Sequence, residues 1–299
     1  MARKILRIFL IVIVLLLVIL AVQAFRYRDT IQRVFLGGVK IYETQPPELP
    51  ASLPRPAVLV FSKTNAFRHE EAIPAANALF RQIAREKGWG YFQTENGAAF
   101  RKDILSRFDT VVFNNVSGDV FTGDRRSAFE NFVDAGGGFI GLHAAGDNSH
   151  EDWPWYARNL IGAAFTMHTM SPQFQTATVR LENRESPVLT GLPAHWKHNE
   201  EWYSFAASPR LKGYHVLMTV DERTYNPEGM FGKDLRMGAD HPVIWWHCVG
   251  RGRALYSALG HQAEAFRQPE HVRLLTNALS WTARQTGSEC DIAQPGPRP

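Results

Sequence analysis

Motifs of several common enzyme classes are missing from the sequence. The first predicted strand is followed by Ser62-Lys-Thr-Asn-Ala-Phe67 and not by G-x-G-x-x-G, and no G-x-x-x-x-G-K-[ST] occurs. Nicotinamide and P-loop nucleotide chemistry therefore find no support. The G-x-S-x-G of serine hydrolases and the zinc-binding H-E-x-x-H are also missing, so no local signature points to either kind of site.

Cysteine is scarce, with Cys248 and Cys290 as its two occurrences. They have no C-x-x-C spacing, so we expect neither a cysteine zinc site nor a disulfide framework. Cys248 lies in the apolar run 242–249 and is predicted to be a buried core thiol. Cys290 lies in a polar tail.

A basic surface is missing as well, although the chain has a net charge of +4. Residues 1–40 carry seven of the 33 basic residues and one of the 29 acidic residues, which leaves 26 basic and 28 acidic residues in the rest. The remainder therefore has a net charge of −2, and we expect no nucleic-acid partner.

A long apolar run dominates the N-terminus, where residues 8–20 contain no polar side chain. Extended to Ile5 and Phe25, the run reaches the length of a bilayer span, and the basic residues before it place the N-terminus in the cytoplasm. Residues 1–27 are predicted to be a retained signal anchor. The alternative is a signal peptide cleaved near Ala24. Either way the domain is predicted to be extracytoplasmic, in the periplasm or at the cell surface, or secreted after cleavage.

Strands and helices alternate through the first half of the chain. Residues 28–56 are predicted to be a Pro-rich linker, 57–285 one domain, and 286–299 a flexible tail. Short apolar strands are predicted at the ranges 57–61, 91–94, 110–114 and 138–143, with helices at 70–87, 104–108 and 124–135 between them. The second half is rich in strands and ends in a helix at 269–284. This order predicts an α/β fold with a mostly parallel sheet.

Ligands bind beyond the carboxyl ends of the strands in such sheets, which directs attention to the strand tips. His143 ends the predicted strand 138–143 and precedes Ala-Ala-Gly, a pattern that resembles the nucleophile elbow at a strand tip. A histidine there can be an acid or base, a metal ligand, a hydrogen-bond donor or a structural residue. Arg68 and His69 follow the first strand and open the first helix.

Further candidates come from later in the chain. His168 follows the aromatic loop Trp153-Pro-Trp155-Tyr156, which suits either sugar stacking or a loop core. Glu200 and Glu201 lie between aromatic residues, and strand alternation would place them on opposite faces. His261 lies beyond the last core strand. The histidines and one glutamate could together form a His/carboxylate metal site, but no spacing assigns one.

These stretches resemble a known family. The matching segments are Phe67-Arg-His69, Gly136-Gly-Gly-Phe-Ile-Gly-Leu-His-Ala-Ala-Gly-Asp147, Phe165-Thr-Met-His168, Glu201-Trp-Tyr203 and Gly250-Arg-Gly-Arg-Ala-Leu-Tyr-Ser-Ala-Leu-Gly-His261. Together they are similar to the ThuA-like (trehalose utilisation) family. The resemblance implies a flavodoxin-like, three-layer α/β sandwich of the class I glutamine amidotransferase type. It also implies a link to trehalose-type disaccharides or keto-sugars. Neither cysteine lies near His143, so thiolate-dependent glutamine hydrolysis is not expected.

We therefore predict an exported, membrane-anchored protein that acts on or binds a sugar or glycoside. His143 and Glu201 are predicted to be catalytic. The predicted substrate-binding residues are Arg68, His69, Asp147, His168, Tyr203 and His261. The cofactor is left open, with a divalent metal such as zinc as one possibility, and so is the oligomeric state. The alternatives are a non-catalytic carbohydrate-binding module and a metal-dependent hydrolase or lyase.

Overall fold

The computed structural model describes residues 2–182 and 184–291. The helices are α1 Ala2–Arg26, α2 Arg28–Phe35, α3 Ala72–Lys87, α4 Lys102–Leu105, α5 Gly123–Asp134 and α6 Pro269–Thr282. The strands are β1 Ala57–Phe61, β2 Gly90–Thr94, β3 Thr110–Asn114, β4 Gly138–Leu142, β5 Phe165–His168, β6 Phe174–Leu181, β7 His195–Glu201, β8 Tyr203–Phe205, β9 His215–Asp221, β10 Pro242–Val249 and β11 Gly252–Ser257.

Nine of these strands form one sheet in the order β2-β1-β3-β4-β11-β10-β9-β6-β7, and β5 pairs with β8 separately. Strands β2, β1, β3, β4 and β11 run parallel. From β11 to β7 each neighbouring pair is antiparallel. The prediction of a mixed α/β protein with a large central sheet is confirmed, and the carboxyl ends of β1, β3, β4, β7 and β11 lie at one edge, here called the site edge.

Alternate residues of β1 contribute to two different hydrophobic clusters, as the period of a strand requires. Val58 and Val60 pack with apolar residues of α3 and α6. Leu59 and Phe61 pack with residues of α4 and α5. Because every residue of β1, β3 and β4 is buried, these strands are continuous apolar runs and not alternating ones.

Helix α1 is the one described helix that is long and apolar enough to cross a membrane, with a mean hydropathy of 3.5 in an 18-residue window within Arg3–Arg26. No side chain of that window is buried inside the protein. A signal sequence has the same character, so the helix by itself is weak evidence for an anchor.

Residues 39–56, here called the strap, lie along the surface of the domain. At one end the Val39 amide donates to the Asn65 carbonyl at 2.7 Å. Close to the same end, the Lys63 ammonium donates to the Glu43 carboxylate at 2.5 Å, with Lys63 itself buried. At the other end Arg55 pairs with Asp109 at 2.7 Å, just before β1 begins. The segment predicted as a linker thus runs over the domain from the site edge to the opposite edge.

The C-terminal region corrects one expectation. Cys248 and Cys290 form a disulfide with 5.4 Å between their Cα atoms, so the prediction of a free core thiol and no disulfide is wrong. The buried Arg253 also donates to the carbonyl oxygens of Trp281, Thr286 and Gly287. Residues 286–291 of the predicted tail are therefore held against β10 and β11, and residues 292–299 lie outside the described residues.

Candidate metal centre

His143 occupies the turn that follows β4 and is completely buried. Its φ of 45° is left-handed, an uncommon conformation that sets the direction of the ring. The turn requires glycine at position 146, because a Cβ at Gly146 would lie 2.3 Å from the Tyr256 ring. The Tyr256 hydroxyl donates to the His143 carbonyl at 2.8 Å and fixes the turn. The elbow-like turn that the sequence predicts is therefore held by packing from β11.

Three further ligand-type side chains meet His143 at the site edge. His69 comes from the β1–α3 loop, His261 from beyond β11, and Glu201 from the last position of β7. The His143 Nε2 atom lies 3.0 Å from His261 Nδ1 and 3.4 Å from a Glu201 carboxylate oxygen. The His69 ring centroid lies 4.8 Å from that of His143. One ligand atom from each of the four residues lies within 4.8 Å of all the others.

The hydrogen bonds around these side chains fit a divalent metal. His143 Nδ1 donates to the Ala258 carbonyl at 2.8 Å, which leaves the Nε2 lone pair directed at the cluster. Metal-bound histidines have this arrangement, with one ring nitrogen held by a carbonyl and the other free to coordinate. His69 Nδ1 is buried without a hydrogen-bond partner among the described residues. Three imidazoles and one carboxylate are a donor set that suits zinc and other first-row divalent ions.

Burial and mutual contact set the charges of the cluster. Burial and the neighbouring histidines hold the pKa of His69 well below its usual value. Burial opposes ionisation of Glu201 too, but its contacts with His143 and His261 outweigh burial and keep its pKa far below that of a free carboxyl. For His143 the nearby carboxylates of Glu201 and Glu200 outweigh burial and raise the pKa. A carboxylate that stays ionised is ready to bind a cation.

Glu200 supports the cluster from behind, a role that the sequence did not reveal. Its buried carboxylate accepts hydrogen bonds from the backbone amides of Gly260 at 2.7 Å and His261 at 3.2 Å. His198 Nε2 lies 3.5 Å from the same carboxylate. These contacts, against the effect of burial, lower the pKa of Glu200. The sequence signal for this role was the position of Glu200 directly before Glu201. Both side chains are buried, although β7 is an edge strand of the sheet.

Other candidate residues lie around the cluster at different distances. His168 is 29% exposed, and its Nδ1 lies 3.1 Å from a Glu201 oxygen. The Tyr203 ring is 4.2 Å from that of His143. Gln173, which sequence reasoning missed, donates to Glu201 at 2.5 Å.

Two predicted binding residues are engaged elsewhere. The Asp147 carboxylate caps its own turn and accepts from the Ser149 amide at 2.8 Å. Arg68 is paired with Glu95 at 2.8 Å.

The aromatic loop before β5 belongs to the core. Trp153 and Tyr156 are buried and stack with ring centroids 5.0 Å apart. Of the two alternatives for this loop, the structure therefore favours loop core over a platform for sugar rings.

Comparison with known proteins places this geometry in context. The model of the trehalose utilisation (ThuA) family matches residues 57–282. A putative ThuA-like protein from Bacteroides uniformis is 28% identical, with a TM-score of 0.66, over 82% of this chain and 98% of that chain. A second, from Parabacteroides merdae, is 18% identical with a TM-score of 0.58, over 81% of this chain and 93% of that one. No curated protein matches the sequence.

Proposed function

Because the chain belongs to the ThuA (trehalose utilisation) family, we propose that it is a membrane-anchored, exported enzyme that acts on a sugar or glycoside with the help of a divalent metal. His69, His143, His261 and Glu201 would hold the metal. The substrate class is a trehalose-type disaccharide or a keto-sugar. The proposed fold is the flavodoxin-like, three-layer sandwich, which the two hydrophobic clusters on β1 support.

The observation that carries the proposal is the convergence of four ligand atoms from four separate chain segments. A lone histidine at a strand end is often structural. Four buried or half-buried ligand groups within 4.8 Å of one another lose water and satisfy only part of their hydrogen-bonding capacity among themselves, and a cation would complete it. His69 Nδ1, which has no hydrogen-bond partner among the residues that the structure describes, supports this reasoning.

The chain's own side chains supply the remaining chemistry. A divalent ion held by these four residues would supply Lewis acidity to a carbonyl or hydroxyl oxygen of the substrate. His168 is more exposed than the four ligand residues and contacts Glu201, so it is suited to exchange protons with a bound sugar. Tyr203 and Gln173 border Glu201 and His143 and can orient hydroxyl groups. Arg68 and Asp147 act from further away, through the loops that hold His69 and His143.

Export agrees with two independent features of the chain. Helix α1 has the length and apolarity of a bilayer span. The Cys248–Cys290 disulfide is of the kind that persists in oxidising compartments and is rare in the cytosol. The proposed location is therefore the periplasm or the cell surface, with cleavage near Ala24 and secretion as the alternative.

Metal content of the purified full-length protein tests the proposal. The protein is prepared in detergent without chelators or a metal-affinity column, and its metals are measured by elemental mass spectrometry. We expect close to one equivalent of zinc, manganese or iron in the wild type and a large loss in His143→Ala and His69→Gln. His247→Gln is a matched control, since His247 is equally buried but lies in β10 away from the cluster. Metal-free folded wild-type protein, or equal loss in the control, would refute the metal centre.

A further inference from the structure

The apolar N-terminal helix joins the domain at the edge that carries the candidate metal centre. Helix α1 ends at Arg26, and α2 follows at once. The Arg33 guanidinium in α2 donates to the Thr64 carbonyl at 2.8 Å, and the Val39 amide donates to Asn65. Thr64 and Asn65 belong to the same β1–α3 loop as His69, which follows only four residues after Asn65. The anchor and a metal ligand are thus attached to one loop.

Little free chain separates the span from this loop. Between the end of α1 and Arg33 there are six residues, most of them in α2. A helix of that length covers about 10 Å at 1.5 Å per residue. The strap then leads away from the site edge, through Glu43 on Lys63, to Arg55 on Asp109 at the opposite edge. The chain therefore holds the site edge near the end of the span and the opposite edge farther from it.

The surface around this junction has the composition of a membrane-facing patch. The exposed apolar side chains are Tyr27, Val34, Leu36, Ile41 and Phe67. Arg28 and Lys40 adjoin Tyr27 and Ile41 in the chain, and their side chains, 66% and 64% exposed, pair with nearby aspartates. Aromatic and aliphatic residues interleaved with basic ones bind at the interface of anionic bilayers. Phe67 extends this patch to the metal centre, because its ring packs 4.9 Å from the ring of His69.

We propose that the site edge lies against the lipid surface and that the sugar entering the metal centre is carried on a membrane lipid. The substrate part of this inference rests on the metal centre and sugar chemistry of the proposed function, and the orientation part rests on its retained anchor. A sugar that is the headgroup of a lipid lies at the bilayer surface, which is where the proposal places the site edge. Confinement to the same surface also raises its effective concentration at the site. A free disaccharide gains neither advantage from the short connection between span and site.

Fluorescence quenching in lipid vesicles tests the orientation. Glu70→Cys places a label beside His69 at the site edge, where the Glu70 side chain is 77% exposed. Leu211→Cys is the matched control, since Leu211 is 82% exposed and precedes β9 at the opposite edge. The native cysteines are paired in the disulfide, so the introduced thiol takes the fluorophore. The full-length protein is reconstituted in phosphatidylethanolamine and phosphatidylglycerol vesicles that contain nitroxide-headgroup lipid.

We expect the label at position 70 to be quenched severalfold more than the label at position 211. Equal quenching, or stronger quenching at 211, would overturn the inference. A mature protein that begins near Phe25, detected by intact mass of the protein from membrane and soluble fractions, would overturn the inference together with the proposed anchor. None of these results depends on metal content, so each is distinguishable from failure of the proposed metal centre.

The substrate part is tested on the same labelled protein. Diglucosyl diacylglycerol is added to the vesicles in one arm, and free trehalose is added to the solution in the other. We expect the spectrum of the label at position 70 to shift with the glycolipid, and the shift to disappear when His143→Ala is combined with Glu70→Cys. A shift with free trehalose alone, or no shift in either arm, would overturn the lipid-borne substrate. Metal measured in the same preparation decides the proposed function separately.

Discussion

Removal of the Cys248–Cys290 disulfide should destabilise the domain by about 4 kcal/mol. The two cysteines are 42 residues apart. For a loop of this length, the entropy that the cross-link removes from the unfolded chain corresponds to about 4 kcal/mol at 25 °C in the chain-entropy model. The link also holds residues 286–291 where Arg253 donates to the carbonyls of Thr286 and Gly287. Loss of the disulfide should therefore raise the conformational entropy of the unfolded chain and also loosen the C-terminal segment of the folded protein.

Urea unfolding of the detergent-solubilised protein measures this effect, with tryptophan fluorescence as the signal. Wild type is compared with and without dithiothreitol, and with a double variant, Cys248→Ser with Cys290→Ser. The reduced wild type and the double variant should agree, and both should unfold at lower urea concentration than the oxidised protein. Thiol titration of the oxidised protein in denaturant should find no free thiol. Two free thiols, or an unchanged midpoint on reduction, would refute the reasoning.

Three further predictions concern the site and its surroundings. Dialysis at about pH 5 should release the bound metal, because protons compete with the ion for His143, whose pKa the neighbouring carboxylates raise, and elemental analysis would contradict this if the metal stayed bound. Glu200→Gln should weaken metal affinity about 10- to 100-fold in competition with a chelator dye, because it loosens the amides of Gly260 and His261; unchanged affinity would remove Glu200 from the site. Burial lowers the pKa of His247 to about 4 in the folded protein. As the pH falls below about 6.5, this histidine is therefore protonated in the unfolded chain before it is protonated in the folded one, and the free energy of unfolding decreases. His247→Gln should reduce the loss of unfolding free energy between about pH 7 and 5 by roughly 2 kcal/mol, and equal losses in both proteins would contradict this.

The parallel part of the fold could be predicted from sequence because its signals are local. Strand β1 is a five-residue apolar run, and α3 has helical spacing that ends at Gly88 in the left-handed conformation. The position of His143 at a strand tip follows from the same local pattern. The rule that ligands bind beyond parallel strand ends then directs attention to His69 and His143 together.

Contacts that depend on distant chain segments could not be predicted in this way. Strict alternation would place Glu200 and Glu201 on opposite faces, but both are buried and both serve the cluster. Strand β7 ends at Glu201 and β8 begins at Tyr203, so the regular alternation of side chains stops at Trp202, between the two strands. The Cys248–Cys290 pairing likewise depends on how the segment after α6 folds back on β10, which no local spacing encodes.

The four ligand residues connect the two differently built parts of the sheet. His69, His143 and His261 follow the parallel strands β1, β4 and β11, whereas Glu201 ends β7 in the antiparallel part. The ligands span residues 69 to 261, so no short fragment can assemble all four. Metal uptake would then require a nearly complete domain, and binding energy would favour the native state over every partly folded one. Metal occupancy would thus report on cooperative completion of the whole fold as well as on the integrity of one site.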